Sequence, residues 1–171
     1  MTSPVHPVAH WEADVLLKDG RGAQLRPILE SDADDFVEFY SRVSDQSKYF
    51  RFFSPYPTLS EKDVARFTTV DHDRRVAFVV LVHSAIIAVG RYDAIADDEA
   101  EVAFLVEDAH QGRGVGQLLL EHLAQAGPER GIHRFVADVL PTNSRMQQIF
   151  REMGYHVAGM FDDGVQRLAF E

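Results

Sequence analysis

Apolar residues recur along the chain with two periods. Phe36, Phe39, Tyr40 and Val43 lie three and four apart, as one face of an amphipathic helix requires, and Ser31-Asp32-Ala33-Asp34 before them has the form of a capping box. Ser60-Glu61-Lys62-Asp63 has the same form and predicts a second helix start, with Val64 and Phe67 inward. Val115, Leu118, Leu119, Leu123 and Ala126 give a third helical stripe, and Met146, Ile149, Phe150 and Met153 a fourth that closes at Gly154. Strand-like runs lie between them: Val15–Leu17 and Ala23–Arg26 flanking Lys18–Gly22 as a hairpin, then 76–82, 86–95, 99–106, 135–140 and 165–170. Gly127-Pro128-Glu129-Arg130-Gly131 reads as the break after the third helix. Helices and strands alternating around one mixed sheet make the class α/β or α+β. Residues 1–10, with two prolines, read as a flexible arm, and 11–171 as one domain.

The stretch Gln111-Gly112-Arg113-Gly114-Val115-Gly116 lies between the strand ending at Val106 and a helix. A helix start leaves backbone N–H groups unpaired and carries partial positive charge, and glycines let an anion come close. The ligand read from this loop is a phosphate ester. It is not a P-loop, because Gln117-Leu118 stands where Lys-Ser or Lys-Thr is needed, and it is not a dinucleotide fingerprint, because Gln117 stands where the last glycine should be.

Composition narrows the rest. A length of 171 residues with 46% hydrophobic content suits one domain with a sizeable core. No apolar run approaches the ~18 residues of a membrane span, and the start lacks the regions of a signal peptide, so a soluble cytoplasmic protein is expected. There is no cysteine, hence no thiolate nucleophile or ligand. The net charge of −10 argues against nucleic acid, but does not select an acceptor. The histidines lack ligand spacing and no metal is expected; His72, between Asp71 and Asp73, reads as a solvated loop. No Gly-x-Ser-x-Gly elbow supports a serine hydrolase.

Gln-x-x-Gly-x-Gly after a strand and before a helix resembles the acetyl-coenzyme A loop of the GNAT N-acetyltransferase superfamily. The resemblance runs from about residue 22 to 171, with the loop after the fourth core strand and Asn143 opening the helix after the fifth. It is closer to the acetyltransferase domain of Pat-type bacterial protein lysine acetyltransferases, through His10–Asp14, Leu25–Ile28, Ser47–Phe53, Val70–His72, Glu101–Phe104 and the Gln111 loop.

That resemblance implies a GNAT fold, a mixed and mostly antiparallel sheet flanked by helices, with acetyl-CoA as co-substrate and a protein acceptor, in particular an AMP-forming acyl-CoA synthetase. It implies that backbone groups of Phe104, Leu105 and Val106 meet the pantetheine arm, that amides of Gly112, Arg113, Gly114, Val115, Gly116 and Gln117 cradle the pyrophosphate with Arg113 as counter-charge, and that Asn143 contacts the arm from the opposite strand. Because a lysine amine (pKa ~10.4) is protonated at neutral pH, a base is needed. Glu101 matches the Pat-type glutamate; Glu99, two residues earlier on the same strand face, is the rival. An amide near Val106 would meet the oxyanion. Phe150 stands where many members have a tyrosine that protonates the leaving thiolate, and Tyr155 reads as packing. Two alternatives stay open: transfer to a small-molecule amine, and an acyl-CoA-sensing domain without turnover.

Overall fold

A computed structural model describes residues 8–171. The elements are β1 (Ala13–Leu16), β2 (Gly22–Pro27), α1 (Ala33–Ser41), α2 (Asp45–Phe52), α3 (Glu61–Thr68), β3 (Arg75–Val82), β4 (Ala85–Ala94), β5 (Glu99–Val106), α4 (Val115–Glu129), β6 (Arg134–Val139), α5 (Ser144–Glu152), β7 (His156–Met160) and β8 (Gln166–Phe170). They form one eight-stranded sheet in the order β1-β2-β3-β4-β5-β6-β8-β7. Every adjacent pair is antiparallel except β5 and β6, which run parallel and share only Glu99↔Arg134, Ala100↔Phe135 and Glu101↔Val136. Beyond Glu101 these two strands separate.

Alternation of side chains divides the core in two. Phe78, Val80, Tyr92, Val102 and Phe104 turn to the α4 face, where Leu119, Leu120 and Leu123 cover them. Val79, Val89 and Leu105 turn to the other face, under Phe36, Phe39 and Phe67 of α1 and α3. With helices on both faces, β3 and β4 are buried almost throughout, which explains their near-continuous apolar sequence. Their turn, His83-Ser84, has both residues at positive φ (50° and 64°), the geometry of a tight hairpin turn without its usual glycine.

Local signals held unevenly. The Ser60–Asp63 capping box forms, each side chain accepting the other residue's amide at 3.1 Å. The one expected at Ser31–Asp34 does not. Instead Asp32, 4% exposed, accepts the Leu29 amide (2.7 Å) and two bonds from the Arg26 guanidinium (2.8 Å each). The break expected at Gly127–Gly131 comes late: α4 runs through Pro128 to Glu129, where a proline removes only a bond of the last turn. The glycine is there for Phe135, whose ring would stand 2.4 Å from a Cβ at 127. α5 ends as expected, with Gly154 at φ 94° and the Tyr155 and Gly154 amides donating to Phe150 and Arg151 carbonyls at 3.0 Å.

Of the expected arm, residues 1–7 lie outside the described residues. Ala9–Trp11 form a 3-10 turn, and His10 and Trp11 both reach Glu129, at 2.5 and 2.9 Å. His72 corrects the solvated-loop reading: its Nε2 is 2.9 Å from the Ile28 carbonyl oxygen, its Nδ1 is buried with no partner among the described residues, and its ring stands edge-on to Trp11. Among the described residues no helix is long and apolar enough to cross a membrane.

Candidate active site

The gap between β5 and β6 opens into a cleft of about 530 Å³, lined by β5, the Gln111 loop, and the starts of α4 and α5, with α2 along one wall. A hollow of about 630 Å³ lies at the other end of the sheet, on β1, β2 and the β3–β4 turn, and shares no residue with the loop.

Within the described residues, none of the six consecutive amides from Gly112 to Gln117 donates a hydrogen bond; the first bonded amide of α4 is Leu118, to the Gly114 carbonyl at 3.1 Å. Gly112 and Gly114 sit at φ 80° and 81°, where a residue with a Cβ is strained. Such an array at a helix start is built for an anion. Gly116 serves packing instead: a Cβ there would meet the Phe104 ring at 2.8 Å.

The positive charges around the loop differ from expectation. Arg113 is ion-paired with Asp19 at 3.2 Å and donates to His110 Nδ1 at 3.1 Å, so its charge is largely committed. Two cations that sequence spacing could not reveal also line the cleft. Lys18 comes from the β1–β2 turn, with its chain 3.1 Å from where a Gly114 Cβ would be, and Arg145 comes from α5, donating to Gln111 Oε1 at 2.9 Å.

In an antiparallel pair, alternate residues bond to the partner and the others turn away. Glu107 N–H donates to the Ile87 carbonyl (2.9 Å), and the Val89↔Leu105 register puts Leu105, Ala103 and Glu101 in the same bonded set. Phe104 and Val106 therefore turn their backbone groups to the open edge, where Gln111 Nε2 donates to the Val106 carbonyl at 3.2 Å. Leu105 is the correction: its backbone is committed to β4 and is not available to a ligand. Asn143, 7% exposed, lines the cleft but spends its Oδ1 capping α5, accepting the Met146 amide at 3.3 Å.

Glu99 and Glu101 share a strand face and differ in surroundings. Glu99 is ion-paired with Arg134 beside the β5–β6 junction. Glu101 makes no hydrogen bond or ion pair within contact distance among the described residues. Although Glu101 is exposed as a residue, partial desolvation of its carboxylate, then the nearby Asp138, pushes its pKa above the usual carboxylate range, against the pull of Arg167 and Arg51. An unpaired carboxylate of raised pKa at the β5–β6 junction, where the gap begins, is the candidate proton acceptor.

The Ser47–Phe53 segment proves to be helix α2. Sequence periodicity missed it because its face is polar: Lys48 is buried with Nζ donating to the Pro57 carbonyl (3.0 Å) and lying 4.5 Å from the Tyr40 ring centre. Asp108 ties the start of α2 to the loop, accepting from the Ser44 amide and the Ser44 and Ser47 hydroxyls at 2.8–2.9 Å. At its other end Arg51 lies 4.7 Å over the Phe52 ring and lines the cleft. Arg91 of β4, 5% exposed, lies 4.7 Å over Phe67, donates to the Phe67 carbonyl at 3.3 Å and leaves Nη1 buried with no partner among the described residues; burial and then Arg51 pull its pKa down to about 9. Phe150 and Tyr155 are both buried, in a ring stack that runs from Phe104 to Phe170.

A profile of the Acetyltransferase (GNAT) family matches residues 33–155. The fold superposes on the crystal structure of the GNAT domain of S. lividans PAT with a TM-score of 0.93, at 53% identity over 96% of this chain and 98% of that one. Acetyltransferase Pat of Mycolicibacterium smegmatis is 31% identical over 82% of this chain, which spans 43% of that protein's length. yncA of Salmonella typhimurium, solved with its cofactor acetyl-CoA, shares the fold at TM-score 0.74 and 16% identity, covering 87% of this chain and 93% of that one.

Proposed function

The chain belongs to the GNAT acetyltransferase family, whose members use acetyl-CoA, and from that premise we propose that it is a protein lysine Nε-acetyltransferase with Glu101 as general base. The observation that carries the acceptor class is the 53% identity, over nearly the whole chain, to the GNAT domain of S. lividans PAT. The site residues fit the reaction in order. The 112–117 amides, with Lys18 and Arg145, hold the pyrophosphate by partial and full positive charge. The unpaired edge of β5, through Phe104 and Val106, takes the arm by main-chain bonds, so the thioester is delivered into the gap beside Glu101. The acceptor amine enters there, Glu101 takes its proton, and an open-edge amide of β5, that of Phe104 being the nearer to Glu101, faces the carbonyl oxygen as charge develops.

A lysine side chain offers little to recognise, so selection falls to the surface around it. Tyr49 and Phe53, 42% and 38% exposed at the α2 wall, are the apolar contacts offered. The acceptor proposed is an AMP-forming acyl-CoA synthetase, in the cytoplasm. The experiment measures thiol release with acetyl-CoA and an intact synthetase, a peptide bearing the same lysine, or a panel of free amines. The intact protein should have the highest catalytic efficiency; a preference for a free amine overturns the protein-acceptor reading, and release with none of them overturns acetyl transfer altogether.

A further inference from the structure

Resting on the acetyl-transfer reading, we propose that Arg51 is a further catalytic residue, which stabilises the coenzyme A thiolate as it leaves. The neutral amine attacks the thioester carbonyl carbon, Glu101 takes the proton from nitrogen, and the carbon–sulfur bond breaks with its electron pair going to sulfur. Something must meet that charge. Phe150 has no hydroxyl, and Tyr155, 6% exposed, has its ring stacked on Phe170 and its pKa pushed upward by burial, so neither supplies a proton.

Position follows from the sheet. A ligand anchored at residues 112–117 and laid along the open edge of β5 cannot pass Glu101↔Val136, where the strands join. Its reactive end must lie in the gap just before that junction, the place from which Glu101 can reach it. There the gap narrows to a cavity of about 40 Å³ lined by Arg51, Ala103, Phe104, Asp138, Asn143 and Phe150. Arg51 thus faces both the main cleft and its inner end.

Its chemistry fits the task. The guanidinium makes no hydrogen bond within the described residues and has no carboxylate in contact: Asp93 is bound to Arg75 at 3.2 Å, and Asp138 to Arg167 at 2.9 and 3.0 Å. An inward-facing cation without a partner is costly unless one arrives with the substrate. Its guanidinium carbon lies 4.7 Å over the Phe52 ring, a contact that steadies it without consuming its N–H groups. A thiolate formed in the gap is an anion with no other uncommitted cation among the lining residues of that cavity. Once released, it takes a proton from water.

The test separates this role from acceptor docking. Hydroxylamine accepts acetyl groups without needing a protein interface. Arg51→Gln should bind acetyl-CoA with nearly unchanged affinity by calorimetry, while kcat falls by ~10²-fold towards both protein lysine and hydroxylamine, the scale of losing one donor to a developing anion. Arg51→Ala should regain rate with added guanidinium ion, which a merely structural defect would not. If either variant fails to fold, the other, checked by its thermal transition, carries the measurement. An unchanged hydroxylamine rate with a raised KM for protein overturns the proposal and makes Arg51 a docking residue. A wild type that acetylates no amine overturns the reaction itself, a different failure.

Discussion

Phe104 occupies the space where Gly116 would carry a side chain: an ideal Cβ on Gly116 falls 2.8 Å from the ring's Cε2 and 3.0 Å from Cζ. The first turn of α4 is thereby seated directly on β5, which fixes the amide cradle relative to the strand edge. Gly116→Ala should lower stability by roughly 1–3 kcal/mol, the usual range for overpacking. Phe104→Leu should absorb part of that loss in the double variant, read as a coupling energy by denaturant unfolding. Strict additivity would show that the clash is relieved elsewhere.

Cofactor affinity should respond to different residues. Gly114→Asp introduces a Cβ against Lys18 and a carboxylate beside the free amides, so acetyl-CoA binding should fall by more than ~100-fold in a folded protein. Lys18→Gln should weaken it by about tenfold, and by less at high salt. Calorimetry at two ionic strengths measures both. Equal loss at both salts would mean that Lys18 acts by packing over Gly114, not by charge.

For the base, Glu101→Gln should reduce turnover by ~10²–10⁴ with acetyl-CoA affinity little altered, because shape is kept and proton affinity lost. Only the ionised carboxylate is a base, so the wild-type rate should rise with pH along a limb centred above the usual carboxylate range, as burial and Asp138 require. Asp138→Asn removes a neighbouring negative charge and should move that limb to lower pH. If Glu99→Gln abolishes the limb and Glu101→Gln does not, the roles are exchanged.

Asp32 offers a test of fold stability. Burial alone would raise its pKa; the Arg26 bonds and the Leu29 amide together outweigh burial and lower it. A lowered folded pKa means that the stabilisation is fully present above the unfolded value of ~3.9 and is lost as pH falls through the folded value. Asp32→Asn should cost roughly 3 kcal/mol at pH 7 by leaving Arg26 unpaired, and should flatten the acid limb of a stability–pH curve. A limb of unchanged steepness would assign it to other carboxylates.

Much of this was legible in sequence where a signal is local. β3 and β4 announce themselves by apolar runs, the Ser60 box by spacing, and the 112–117 cradle by glycines at a strand-to-helix junction. Three kinds of feature were not. α2 carries its buried contacts on Lys48, whose charge hides a packed position, and β7 exposes Val157 and Met160 at a sheet edge, so neither has a clean period. Lys18 and Arg145 join the site only through the fold, from positions 127 residues apart. The commitment of Leu105 to β4 depends on hydrogen-bond parity, which no side chain records. Between Glu99 and Glu101 the sequence preference rested on resemblance, and the Arg134 ion pair of Glu99 adds a physical distinction.

The three residue pairs that join β5 to β6 make the sheet a book with a short spine. Five strands form one cover and β6, β8 and β7 the other, and past Glu101 no backbone bond closes the pages. A ligand lying along that margin holds the covers at a set angle through bonds to both. Acetyl-CoA would then be a bookbinder as well as a reactant: amides of β6 and α5, far from any phosphate, should exchange with deuterium more slowly when it is bound, and the released product should let the two covers loosen before the next substrate is read.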